Sequence, residues 1–278
     1  MSASAIREPQ QKAMFLPREH GATAMLLTPM FCAAILARQW HWTEVVTLVA
    51  AVAALSAKDP MVVLARQSFI WKQKHPETAV AAKWLGVWIV ILVLCGVALL
   101  SAWPPTAIAV LGVGVLAFSV VAVVINVRNR QRSTVFQIVS AAGLTSTALA
   151  TCLSATGSIM PWCWWLWPLL AMQAATGILV VHARLDARIA ARKNTLADRG
   201  FRRAALGAVG FLACAAIAAV ITRHGWIAVA LLVIVAGYSY DLRRQSDPAE
   251  IQVSLTRVGR RALALSVLYA ALLIVGLW

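Results

Sequence analysis

Residues Trp84–Trp103 read WLGVWIVILVLCGVALLSAW and residues Thr106–Ile125 read TAIAVLGVGVLAFSVVAVVI, with only Pro104 and Pro105 between them. Neither stretch contains Asp, Glu, Lys, Arg or His. A helix needs roughly 17–25 mostly apolar residues to cross about 30 Å of hydrocarbon, so each stretch predicts one membrane span. Working outward, further spans are expected at Gly21–Ala37, Trp42–Ala57, Thr134–Leu153, Trp162–Val181, Ala204–Thr222, Trp226–Tyr240 and Ala262–Trp278. The expectation is an all-α membrane protein, a single bundle of about nine transmembrane helices. The second and eighth spans are the shortest.

Composition agrees. The chain is 61% hydrophobic with a mean hydropathy of +0.79, whereas a soluble domain is roughly 45–50% apolar. One water-surrounded core cannot hide that excess, so lipid must take it. The net charge of +15 belongs to short loops between spans, not to a soluble face, which argues against nucleic acid as a partner.

The distribution of cations sets an expected orientation. Of the 25 Lys and Arg residues, all but Arg38 and Arg223 fall in alternate gaps between spans. Basic loops stay on the cytoplasmic side. This predicts a cytoplasmic N-terminus and an outside C-terminus at Trp278, with residues 1–17 a cytoplasmic tail and 18–278 one polytopic helical domain. Losing either short span would merge a basic gap with a bare one, which favours nine crossings over eight. No cleavable signal peptide is expected, because the first 20 residues are polar and no small-residue cleavage site follows the first apolar run. Trp40, Trp42, Trp103, Trp162, Trp164, Trp165, Trp167, Trp226 and Trp278 mark the expected outer border, where the indole ring is buried and its N–H stays wet. The five cysteines show no CxxC pair and lie in or beside apolar segments, where a free thiol packs as a small hydrophobe.

Chemistry is expected at the basic gaps. Arg18, Glu19 and His20 offer a cation, a carboxylate and an imidazole at the mouth of the first span, or else a snorkelling entry cap. Arg128, Arg130 and Arg132 follow the fourth span and suit phosphate or carboxylate, guanidinium being a planar, bidentate donor; a loop touching headgroups is the plainer reading. After the sixth span, Arg184, Arg188 and Arg192 recur every fourth residue. A helix continuing out of the membrane would stack them on one face, with Asp186 between. Asp59, preceding Pro60, reads as a helix boundary, and Asp241 as a partner for Arg243 or Arg244. Gln137 and Gln173 are placed to hydrogen-bond across helices. No span carries an ionisable residue near its middle, which argues against a proton pump or channel.

The run Leu16-Pro17-Arg18-Glu19-His20-Gly21-Ala22, with Ala24-Met25-Leu26-Leu27-Thr28-Pro29 after it, closely resembles the opening of the YwiC-like family of bacterial membrane proteins. Shorter matching stretches are Arg128–Ser133, Val181–Leu185 and Val258–Leu263. The resemblance implies a multi-pass protein of the bacterial cytoplasmic (inner) membrane and no particular reaction. Nine spans with charged segments after spans two, four and six also resemble the UbiA class of intramembrane prenyltransferases. In that class acidic motifs hold Mg²⁺ on a prenyl diphosphate. Here Asp59 and Glu77, and Asp186 and Asp198, do not reproduce such a ligand set, so neither a metal nor a cofactor is expected.

Three functional readings follow. The first is a cytoplasm-facing site for an anionic lipid-like or phosphorylated ligand, isoprenoid-like or a membrane headgroup, held by Arg18, Glu19, His20, Arg128, Arg130, Arg184, Asp186 and Arg188. The second is a divergent UbiA-like transferase using a prenyl diphosphate, and the third an accessory or assembly subunit of a membrane complex. No catalytic residue can be named from the sequence.

Overall fold

The computed structural model describes residues 20–71, 77–128, 133–193, 195, 199–245, 247–251 and 253–278. The described residues form helices and connecting turns, with no strand among them. Eight helical segments are long and apolar enough to cross a membrane, and the ninth, Gly21–Ala37, is a shorter apolar helix. The chain is a multi-pass membrane protein.

It divides into two compact units, one built around Val45–Gln131 and one from Gly21–Glu44 with Arg132–Trp278. The first holds most of α2 (Trp42–Arg66), a π-helical turn (Gln67–Trp71), α3 (Glu77–Leu99) and α4 (Pro105–Val127). Its core is small: Ala53, Ala57 and Trp88 are buried, with Trp84, Leu85, Ile91 and Leu92 packed on them. Helix α4 buries only Ala122 and leaves Val110, Val113, Leu116 and Val121 exposed. A helix apolar all round fits lipid as its surroundings.

One boundary differs from the expected one. Helix α2 does not stop at Asp59-Pro60 but runs through both to Arg66. Proline removes a single ladder bond, the one to the carbonyl four residues earlier, and membrane helices tolerate that loss. Lys58 and Asp59 therefore sit on the helix, in its last third, 4.0 Å apart as an ion pair. At its far end Arg66 donates to the Asn126 carbonyl at 2.9 Å, tying α2 to the end of α4. The Thr78 hydroxyl bonds the Gln67 side chain, tying the start of α3 to the π turn.

The second unit holds α1 (His20–Ala37) from Gly21 onward, α5 (Thr134–Thr145), α6 (Thr147–Thr156), α7 (Pro161–Lys193), α8 (Arg199–Ile221), α9 (Gly225–Arg244), α10 (Pro248–Ile251) and α11 (Leu255–Leu277). Its core is extensive and runs through Cys152, Cys163, Leu166, Leu170, Leu212, Leu231, Ile234, Tyr269 and Leu273. Helix α7 is the spine, packed by α5, α6, α8, α9 and α11. It continues well past the expected end at Val181.

The predicted fifth span, Thr134–Leu153, is broken at Ser146 into α5 and α6. The side chains of Thr145, Ser146 and Thr147 donate to the carbonyls of Ala141, Gly143 and Leu144, a back-bonding that bends helices. Trp167 Nε1 takes the Ala142 carbonyl at 3.0 Å and Thr147 also reaches the Leu26 carbonyl of α1 at 2.9 Å. Hydroxyl and indole donors thus hold the break.

Both interior glutamines do bond across helices. Gln173 Nε2 donates to Tyr238 Oη and Ser266 Oγ, each at 2.9 Å, and Tyr238 Oη donates back to the Gln173 carbonyl at 3.2 Å. Three helices, α7, α9 and α11, are stapled there. Gln137 Oε1 lies 2.8 Å from His182 Nε2, joining α5 to α7, and the His182 ring stacks on Phe201 of α8.

The unit has two chemically distinct ends. At one, Arg38 donates to the Trp278 carbonyl at 3.2 Å and lies 3.9 Å over its ring. Thr43 donates to Ser154 O at 2.8 Å, and a Cβ on Gly276 would meet Trp226 and Ile227. Trp40, Trp42, Trp164, Trp165, Trp226 and Trp278 are exposed, as an interfacial belt requires. Trp103, in the first unit, is instead buried, with no hydrogen bond to its Nε1 among the described residues. The arginine cluster occupies the other end.

Candidate anion-binding site

Helix α7 carries Arg184, Arg188 and Arg192 out of the core in successive turns, as their spacing predicts. Burial falls along the stripe: Arg184 is 4% exposed, Arg188 half-buried and Arg192 exposed. A guanidinium as buried as Arg184 needs a partner, and its Nη2 donates to the Glu250 backbone carbonyl at 2.5 Å. That bond carries α10, a four-residue helix, onto α7.

Glu250 is the hub. Its Oε2 lies 3.1 Å from Arg244 Nη1 and its Oε1 2.6 Å from Arg261 Nη1. Arg244 ends α9 and Arg261 lies two turns into α11. The carboxylate side chain is 11% exposed, while the two guanidinium side chains remain 43% and 41% exposed. The Arg261 hydrogen bond first, then the charges of Arg244, Arg261 and Arg184, hold the Glu250 carboxyl below the usual carboxylate range. Three guanidiniums from α7, α9 and α11 therefore surround one acidic residue.

Further polar contacts frame this cluster. Gln245 Nε2 donates to the Val180 carbonyl at 3.1 Å, packing the end of α9 on α7. Asp247 Oδ1 accepts the Ala249 N–H at 2.9 Å, which starts α10. Arg244 also lies 5.0 Å over the Tyr240 ring. Asp241 has no ion pair within 4 Å among the described residues, a departure from its expected pairing with Arg243 or Arg244. Arg244 is drawn to Glu250 instead, because α10 folds back beside it. Asp241 is partly buried, within electrostatic reach of Arg184, Arg261 and Arg244.

The predicted site residues distribute unevenly. Arg184, Asp186 and Arg188 share α7 in the second unit. Asp186 Oδ2 is buried without a hydrogen-bond partner among the described residues. Arg128 caps α4 in the first unit and is exposed. His20 is the first residue of α1. Arg18, Glu19 and Arg130, and also Asp198, lie outside the described residues. Sequence reasoning left Arg244, Glu250 and Arg261 out of the site; the available signal was a short connection in which the acids Asp241, Asp247 and Glu250 are interleaved with arginines.

Among the described residues no group of three or more His, Cys, Asp or Glu side chains comes together to hold a metal ion. Asp59, one of the carboxylates considered for a transferase, is engaged with Lys58. What the arrangement offers chemically is recognition of an oxyanion by convergent guanidiniums.

Comparison with known proteins gives one family. The model for YwiC-like proteins matches residues 16–152. That stretch includes the Leu16–Pro29 run and Arg128–Ser133, while Val181–Leu185 and Val258–Leu263 lie beyond it. A search of curated proteins finds no match.

Proposed function

We propose that this chain, a YwiC-like protein over residues 16–152, is a multi-pass protein of the bacterial cytoplasmic membrane that holds an anionic, phosphate-bearing ligand at the arginine end of its second unit. In this reading about nine helices cross, the N-terminus and the basic gaps face the cytoplasm, and Trp278 lies outside. The alternation of basic and bare gaps supports that orientation.

The observation that carries the ligand reading is the convergence of three helices on one residue: Arg244 and Arg261 hold the Glu250 carboxylate, and Arg184 holds its backbone carbonyl. Orientation alone needs cations in loops; it does not need them gathered around a single acceptor. Arg188 sits one turn further along the same helix and extends the basic face. A lipid headgroup arriving at the membrane border meets Arg244 and Arg261 first, since these are the two guanidiniums left open.

The test is lipid retention. Protein purified in mild detergent is examined by native mass spectrometry, wild type against Arg244→Ala/Arg261→Ala, with intrinsic tryptophan fluorescence as the check on folding. Wild type is expected to keep phosphatidylglycerol in preference to phosphatidylcholine, and the double variant to lose that preference. Equal retention by two folded forms sinks the reading.

A further inference from the structure

The arginine site is already filled by a part of the chain itself. We infer that Glu250 is a built-in competitor whose carboxylate occupies the seat of a phosphate oxyanion between Arg244 and Arg261, so that ligand enters by displacing that side chain. This inference rests on the anion-site reading above and adds how that site is controlled.

Three features carry it. First, the geometry is that of a bound oxyanion: two guanidiniums reach two different oxygens of the same group, at 3.1 Å and 2.6 Å. Charge-assisted bonds of this kind are the ones a phosphate makes with arginine. Second, exposure is inverted. The carboxylate is nearly covered at 11% while its two partners are 43% and 41% exposed, so an outside anion can approach the guanidiniums from the open side. Third, the charge count changes sign in importance when Glu250 leaves. With it, three guanidiniums face Glu250 and Asp241; without it, only Asp241 remains to offset them. The local excess then matches a phosphate group carrying one to two negative charges.

Helix α10 has four residues, and three of the bonds that fix its backbone do not involve the carboxylate: Arg184 to the Glu250 carbonyl, Val253 N–H to that same carbonyl at 3.3 Å, and Ala249 N–H to Asp247. Releasing the carboxylate leaves those three bonds in place. The side chain alone can swing away.

Glu250→Gln tests this, because the amide keeps the volume and the backbone bond to Arg184 while removing the charge. Glu250→Asp is the second variant: it keeps the charge but is one methylene too short to reach both guanidiniums. Binding is measured for wild type and both variants with two probes, inorganic phosphate added to detergent-solubilised protein and phosphatidylglycerol titrated into phosphatidylcholine nanodiscs. The expected result is tighter binding by Glu250→Gln, about fivefold to a hundredfold for a coupling of ordinary size, with Glu250→Asp between it and wild type. Tightening for phosphatidylglycerol alone assigns the seat to a lipid headgroup, and tightening for phosphate alone assigns it to a free oxyanion. Unchanged affinity in both variants, with wild type still binding phosphatidylglycerol, overturns the competitor and leaves the site standing. No binding by any form to either probe overturns both.

Discussion

The staple at Gln173, Tyr238 and Ser266 makes a demanding prediction at Gly177, one turn along α7. A Cβ added there would lie 2.8 Å from Tyr238 Oη, where ordinary contact begins at 3.4 Å. Tyr238 is 3% exposed and its hydroxyl is held by two bonds to Gln173, so the ring tip cannot move aside freely. Gly177→Ala must push it by about 0.6 Å, an overpacking costing about 1–3 kcal/mol. Tyr238→Phe costs about 1–2 kcal/mol through the lost hydroxyl bonds. Combined, the two changes should relieve each other, because the next atom of the ring, Cζ, is 3.6 Å from that Cβ. A double-mutant cycle should then show a favourable coupling of about 1–2 kcal/mol. The assay is reversible unfolding in mixed detergent micelles, followed by helical circular dichroism. Additivity within about 0.5 kcal/mol would refute the claimed contact between α7 and α9.

The two cations outside the basic gaps supply a paired prediction. Arg38 and Arg223 both adopt left-handed backbone, φ 56° and 63°, a region that costs a side-chain-bearing residue about 1–2 kcal/mol. Arg223→Gly should raise stability by about 1 kcal/mol, while Arg38→Gly should gain nothing, since it gives up the Trp278 contacts; thermal unfolding of both variants checks this. Trp167→Phe removes the N–H that holds the Ala142 carbonyl and should cost about 1 kcal/mol, read by the same unfolding assay. The depressed pKa of Glu250 gives a pH test. The stabilising effect of the folded cluster is fully present above the ordinary glutamate pKa, about 4.3, and is lost as pH falls through the lower folded value. The difference in melting temperature between wild type and Glu250→Gln should therefore be constant at neutral pH and vanish only in acid. A difference that disappears on raising the pH would contradict the assignment.

Much of the fold was legible because span length and charge placement act over many residues at once. The Trp84–Trp103 and Thr106–Ile125 stretches fall on α3 and α4, and the Arg184 spacing anticipated the continuation of α7. What escaped was decided by single bonds. Pro60 reads as a stop, yet a helix in lipid gains more by continuing than it loses in one ladder bond. Ser146 reads as an ordinary span residue and Thr134–Thr156 does remain one candidate span, yet the Ser146 and Thr147 hydroxyls back-bond the Gly143 and Leu144 carbonyls where the helix is interrupted. The site was half legible for the same reason. Arg184 announces itself by periodicity along one helix, whereas Arg244, Glu250 and Arg261, though only 6 and 11 residues apart in sequence, meet because the short α10 folds back between α9 and α11.

The central claim, that the arginine end of the second unit holds an anionic headgroup, is tested most directly by photo-crosslinking. Phosphatidylglycerol bearing a diazirine on its headgroup is incorporated into nanodiscs with the protein, illuminated, and the attachment sites mapped by peptide mass spectrometry. The account predicts attachment concentrated in peptides spanning Arg184–Lys193 and Asp241–Arg261, and suppressed in Arg244→Ala/Arg261→Ala. Attachment spread evenly over the basic gaps, or concentrated around Trp40, Trp164 and Trp226, would contradict it.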